Sequence, residues 1–74
     1  MQTDMVMVYK TSVETQQQVL LLKSTLDKLA GVGNWNFALD DTDRILRVAS
    51  PEVDPMQPPR LLQQLGFNCI ELQD

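Results

Sequence analysis

Between residues 14 and 30 the chain reads ETQQQVLLLKSTLDKLA, and Val19, Leu22, Leu26 and Leu29 return at intervals of three and four. At about 100° per residue these positions stack into one apolar stripe, which predicts an amphipathic helix over Glu14–Ala30 that must lay its stripe on another surface. Ser12 or Thr11 is placed to cap its first turn, Glu14 puts a carboxylate there, and Gly31 with Gly33 ends it. Leu20 and Leu21 fall off the stripe, Leu21 nearly opposite its centre. They read as partly exposed helix formers or, more pointedly, as a partner-facing patch.

On either side the period changes from 3.6 to 2. Met5–Tyr9 (MVMVY) reads as a strand with Met5, Met7 and Tyr9 on one face and Val6 and Val8 on the other. Two apolar faces suit an interior strand. Lys10–Val13 is then a loop. After Gly33, Trp35, Phe37 and Leu39 alternate with Asn34, Asn36 and Ala38 and predict a strand with a buried aromatic face. Asp40, Asp41, Thr42 and Asp43 make a polar turn, and Arg44–Ala49 returns as the second arm of a hairpin with Leu46 and Val48 inward. The four prolines, at 51, 55, 58 and 59, forbid strand and mid-helix until Pro58 and Pro59 open a short helix over Arg60–Leu65 that stops at Gly66. Phe67–Leu72 reads as a last strand. The order is β-α-β-β-α-β. With two right-handed crossovers it predicts an α+β ferredoxin-like sandwich, an antiparallel four-stranded sheet in the order 4-1-3-2 with two helices on one face.

At 74 residues the expectation is a single domain over residues 1–74 with residues 1–4 as a frayed start. Such a chain has room for one core and a net stability of roughly 4–10 kcal/mol. No run of eighteen apolar residues occurs, and the N-terminus lacks the basic and apolar blocks of a signal peptide, so neither a membrane span nor export is expected and residence is read as cytoplasmic. The single cysteine, Cys69, has no internal disulfide partner, in keeping with a reducing compartment. No histidine, six cations and a net charge of −4 argue against zinc catalysis and against nucleic acid as a partner.

Candidate chemistry adds little. Asp40, Asp41 and Asp43 lack the glycine and distal glutamate of a calcium loop and sit between two strands. Ser12, Thr11, Glu14 and Lys10 offer no nucleophile and base in a cleft and read as capping and turn residues, so no catalytic residue is assigned and no enzyme or cofactor is expected.

Taken together, Val19, Leu22, Leu26, Leu29, Gly31-Val32, the alternating Trp35, Phe37 and Leu39, then Leu46, Val48 and Leu65-Gly66-Phe67, give a chain that resembles the heavy-metal-associated, copper-chaperone-like domain over residues 5 to 72. The resemblance implies the sandwich already read from the periodicity. It also implies a metal site of two cysteines spaced Cys-x-x-Cys where the first loop enters the first helix. The matching positions here are Thr15 and Gln18. Hydroxyl and carboxamide are hard, neutral donors, whereas Cu(I) is selected by thiolates and thioethers. The resemblance therefore implies a degenerate member of the family, one that has lost metal binding and acts as an interaction or regulatory module, with a protein partner or self-association. Its candidate surfaces are the former metal loop with its neighbours (Lys10, Thr11, Ser12, Gln16, Gln17 and Leu21), the bare sheet face and the last edge strand. Two alternatives stand beside it. One is residual Cu(I) binding through Cys69 or through Met5 and Met7, across a dimer if need be. The other is a small-molecule-sensing regulatory domain with the same strand order.

Overall fold

The computed structural model describes residues 6–50 and 52–72. It contains β1 (Met7–Thr11), α1 (Gln16–Ala30), β2 (Trp35–Ala38), β3 (Ile45–Val48), α2 (Gln57–Gln64) and β4 (Cys69–Glu71). The four strands form one antiparallel sheet in the order β2-β3-β1-β4, the ferredoxin-like arrangement. β1 sits in the interior, paired to β3 from Met7↔Val48 to Lys10↔Ile45 and to β4 from Tyr9↔Glu71 to Thr11↔Cys69.

Strand alternation sorts the sheet into two faces. Tyr9, Leu46, Val48 and Cys69 point toward the helices and join Leu22, Leu26 and Ala30 of α1 and Leu62 of α2 in one apolar cluster. Full burial of each large apolar side chain contributes about 1.5–3 kcal/mol relative to leaving it exposed, so this cluster is the main term holding the layers together. Val13 and Val53, one from each loop that leads toward a helix, complete it. The opposite face carries Val8 and Lys10, Asn36 and Ala38, Ile45 and Arg47, and Ile70, with no helix over it. Ile45 is buried all the same, outside the core cluster.

Both helix ends follow from local chemistry. Gly66 takes φ 93° after Leu65, the Phe67 N–H donates to the Leu62 carbonyl at 2.8 Å and the Gly66 N–H to that of Gln63 at 3.1 Å. Those two bonds form a Schellman cap that turns the chain from α2 toward β4. At the end of α1, Gly31 has φ 98° and ψ 148°, a region open essentially to glycine alone, and its N–H donates to the Asp27 carbonyl at 2.9 Å.

Several boundaries differ from the sequence expectation. β1 runs to Thr11, so Lys10 and Thr11 are strand rather than loop. The Thr11 hydroxyl is the reason: it donates to the Arg44 carbonyl at 2.6 Å, and its N–H donates to the Asp43 carbonyl at 3.2 Å, extending the pairing beyond the hydrophobic run. Met5 and the frayed start lie outside the described residues. α1 begins at Gln16 and α2 at Gln57, two and three residues from the expected starts, and β4 is only three residues long. Trp35 and Phe37 are half-buried rather than fully buried, because β2 is an edge strand; they pack edge to face at 6.0 Å. The Asp40–Asp43 segment is the expected turn, closed by the Asp43 N–H on Asp41 Oδ1 at 2.8 Å.

Candidate functional site

The loop from β1 into α1 and the first turn of that helix hold the positions that the family resemblance matches to metal ligands. Thr15 is the N-cap, in extended conformation at φ −131° and ψ 156°. Its Oγ1 accepts the Gln18 N–H at 3.1 Å, while Gln18 Oε1 accepts the N–H groups of Glu14 at 2.6 Å and Thr15 at 3.3 Å. This is a reciprocal capping box, with both side chains serving the backbone. The expected caps, Ser12 and Thr11, do other work. Thr11 is buried in the strand, and the Ser12 hydroxyl accepts the Asn68 N–H at 2.9 Å while the Ser12 N–H donates to the Asn68 carbonyl at 3.2 Å. Ser12 thus fastens the first loop to the segment that enters β4. The signal for the true cap was present as Thr15-x-x-Gln18 directly before the apolar stripe.

This donor set does not fit a soft cation. Oγ1 and Oε1 are neutral oxygens already accepting backbone N–H groups, and they would have to abandon the cap to face an ion. Of the alternative donors, Met5 lies outside the described residues, and Met7 and Cys69 lie apart. Met7 faces the core, its sulfur 3.5 Å from the Tyr9 hydroxyl. Cys69 pairs with Thr11, four ladder positions from Met7 or roughly 13 Å along the strand. Burial pushes the Cys69 thiol up to about 12, which keeps it protonated at neutral pH. Among the described residues no three His, Cys, Asp or Glu side chains gather as metal ligands.

The remaining polar chemistry is structural. Tyr9 is fully buried and its hydroxyl donates to the Pro55 carbonyl at 2.8 Å, strapping the proline-rich segment across the end of the sheet. Burial, with Glu71 next in effect, raises its pKa well above the ordinary value and makes it a weaker acid. Asp27 accepts from Lys23 Nζ and from the Trp35 indole, each at 2.8 Å, and those hydrogen bonds hold its carboxyl below the usual range. The bond from Trp35 also pins α1 to β2.

The surface residues proposed from sequence divide into two groups. Lys10, on the open sheet face, makes an exposed ion pair with Asp43 at 3.7 Å, while Thr11 and Ser12 are engaged in the packing just described. Gln16, Gln17 and Leu21 are exposed on α1, and Leu20 and Leu21 stand 67% and 72% exposed. Sequence reasoning did not single out a second exposed apolar group at the β4 side of the sheet: Ile70, Leu72 and Val6 at 61%, 40% and 45%. Among the described residues no helix is long and apolar enough to cross a membrane.

Comparison with family models, with characterised proteins and with solved structures gives no match to this chain.

Proposed function

We propose that this domain is a copper-chaperone-like scaffold whose first loop no longer takes metal and which works by contacting another protein. The observation that carries the reading is the capping box. Thr15 and Gln18 stand where the resembled family presents thiolates, and both side-chain oxygens are committed to the backbone. What the domain then offers is surface: exposed leucines on α1 and an uncovered sheet face with apolar side chains at its β4 edge.

Protein is favoured over nucleic acid by the same surface. Tyr9, Trp35 and Phe37 face the helices, so the open face presents no aromatic ring on which a base could stack, and the chain as a whole is acidic. A reducing, cytoplasmic setting belongs to the proposal, since the lone cysteine is buried and protonated. The test is anaerobic competition of the reduced protein against a chromogenic Cu(I) chelator, beside the variant Thr15→Cys/Gln18→Cys. The reading expects the native chain to leave copper with the chelator and the double variant to withdraw it. Copper withdrawal by the native chain would sink the reading.

A further inference from the structure

The proline-rich segment between β3 and α2 is tied to the sheet by a single hydrogen bond among the described residues. Its own bonds are local: the Val53 N–H donates to the Ser50 carbonyl at 3.3 Å, the Gln57 N–H to that of Asp54 at 2.9 Å and the Met56 N–H to Asp54 Oδ1 at 2.9 Å, while Gln57 Oε1 accepts the Asp54 N–H at 3.1 Å. Only the Tyr9 hydroxyl, on the Pro55 carbonyl at 2.8 Å, reaches the segment from a strand. The same segment delivers Val53 to the core, so its hold on the sheet bears on packing as well as on the loop.

That hydroxyl has one proton and two acceptors within reach. Met7 Sδ, on the same face of β1, lies 3.5 Å from it. A thioether is a weak acceptor and an amide carbonyl a strong one, so the proton goes to Pro55. Burial keeps the Tyr9 hydroxyl protonated throughout the physiological range, and it therefore always has that one proton to give. An oxygen added to the sulfur makes the side chain polar and sets a strong acceptor beside the same donor. The three rotatable bonds of methionine let that oxygen turn toward it.

We infer that Met7 is an oxidation switch for the proline-rich strap: its sulfoxide draws the Tyr9 proton from the Pro55 carbonyl and releases the segment. Met7 is half-buried and its contact with Tyr9 part-buried, which leaves a path for hydrogen peroxide. The sulfur lone pair attacks one peroxide oxygen and the O–O bond breaks. Sulfur gives up two electrons, and the departing oxygen takes up the proton of the transferred one and leaves as water. Methionine sulfoxide reductases reverse the change. Met56, 57% exposed, is the more accessible thioether, but α2 has no side-chain cap there and its oxidation leaves the Tyr9–Pro55 bond alone.

Hydrogen exchange at the Val53 and Gln57 amides before and after hydrogen peroxide tests the inference, with the oxidised positions read by mass spectrometry and Met7→Leu and Tyr9→Phe beside the native chain. In the native chain Met7 should oxidise while folded, and both amides should then exchange roughly 2- to 10-fold faster, the factor that one hydrogen bond carries. Reductase treatment should restore the slow rate. Met7→Leu should keep slow exchange after peroxide even with Met56 oxidised, and Tyr9→Phe should exchange fast from the start and gain nothing on oxidation. A Met7 that resists peroxide until the chain unfolds, exchange unchanged by its oxidation, or equal acceleration in Met7→Leu or Tyr9→Phe would overturn the switch. The last outcome would reduce the sulfoxide to a general disturbance of packing. None of these results bears on the copper competition, which uses the reduced protein.

Discussion

Replacing Thr15 by alanine removes one half of the capping box and leaves the other. The lost bond is the Gln18 N–H to Oγ1 at 3.1 Å; Gln18 Oε1 still bridges the N–H groups of Glu14 and Thr15. N-cap deletions cost about 0.5–2 kcal/mol, and this site is exposed, so water can reach the freed amide and about 1 kcal/mol is expected. For a domain of this size that corresponds to roughly 4–8 °C in melting temperature. Thr15→Ser keeps the oxygen and should fall by less than about 0.3 kcal/mol. Gln18→Ala removes the reciprocal half and should cost about 0.5–1 kcal/mol. The assay is urea unfolding with the slope held common, read as the shift in midpoint. A Thr15→Ala variant as stable as the native chain, or a Thr15→Ser variant as weakened as alanine, would refute the cap and with it the argument that these oxygens are committed.

Other consequences are sharp enough to measure. Leu26→Ala should cost about 2–5 kcal/mol because Leu26 is fully buried in the cluster, whereas Leu21→Ala, 72% exposed, should stay within about 0.5 kcal/mol on urea unfolding. Gly31→Ala should destabilise measurably in the same assay, since φ is 98° and the added Cβ would meet Asn34 Nδ2 at 2.8 Å; Gly66→Ala, with open space around it, should show only the backbone cost of about 1 kcal/mol. Cys69 should resist thiol reagents until the chain unfolds. Its folded value lies above its unfolded one, so stability is full below pH 9 and falls as the pH rises toward about 12, at about 1.4 kcal/mol per pH unit, with Tyr9 adding to the slope at the upper end. A chain whose stability is flat from pH 9 to about 12 would contradict the burial assigned to both.

The architecture was legible in the sequence because its signals are periodic. The stripe through Leu22 and Leu26, the alternation through Leu46 and Val48, and the prolines that open α2 each report an element without tertiary help, and the order of elements then leaves few topologies. What escaped was set by single contacts. Val13 and Val53 are core residues in loops, where no period marks them. β1 reaches Thr11 because a hydroxyl finds a carbonyl on the hairpin, a partner 33 residues away in sequence. The N-cap is Thr15 of the Thr-x-x-Gln pattern and not Ser12 or Thr11, whose hydroxyls bond to Asn68 and to the Arg44 carbonyl. The expected order already put the last strand at an edge, but which of its side chains stay exposed, Ile70 and Leu72 beside Val6, depends on how the strands pack and not on any period in the sequence.

The measurement closest to the central claim is a position-resolved one: amide spectra of the isotope-labelled, reduced protein during anaerobic addition of Cu(I). The account predicts that the resonances of Glu14 through Gln18 and of Cys69 stay where they are at one equivalent, while in Thr15→Cys/Gln18→Cys the same amides of the first turn move and saturate. Saturable shifts in the native chain, at the cap or at Cys69, would contradict it.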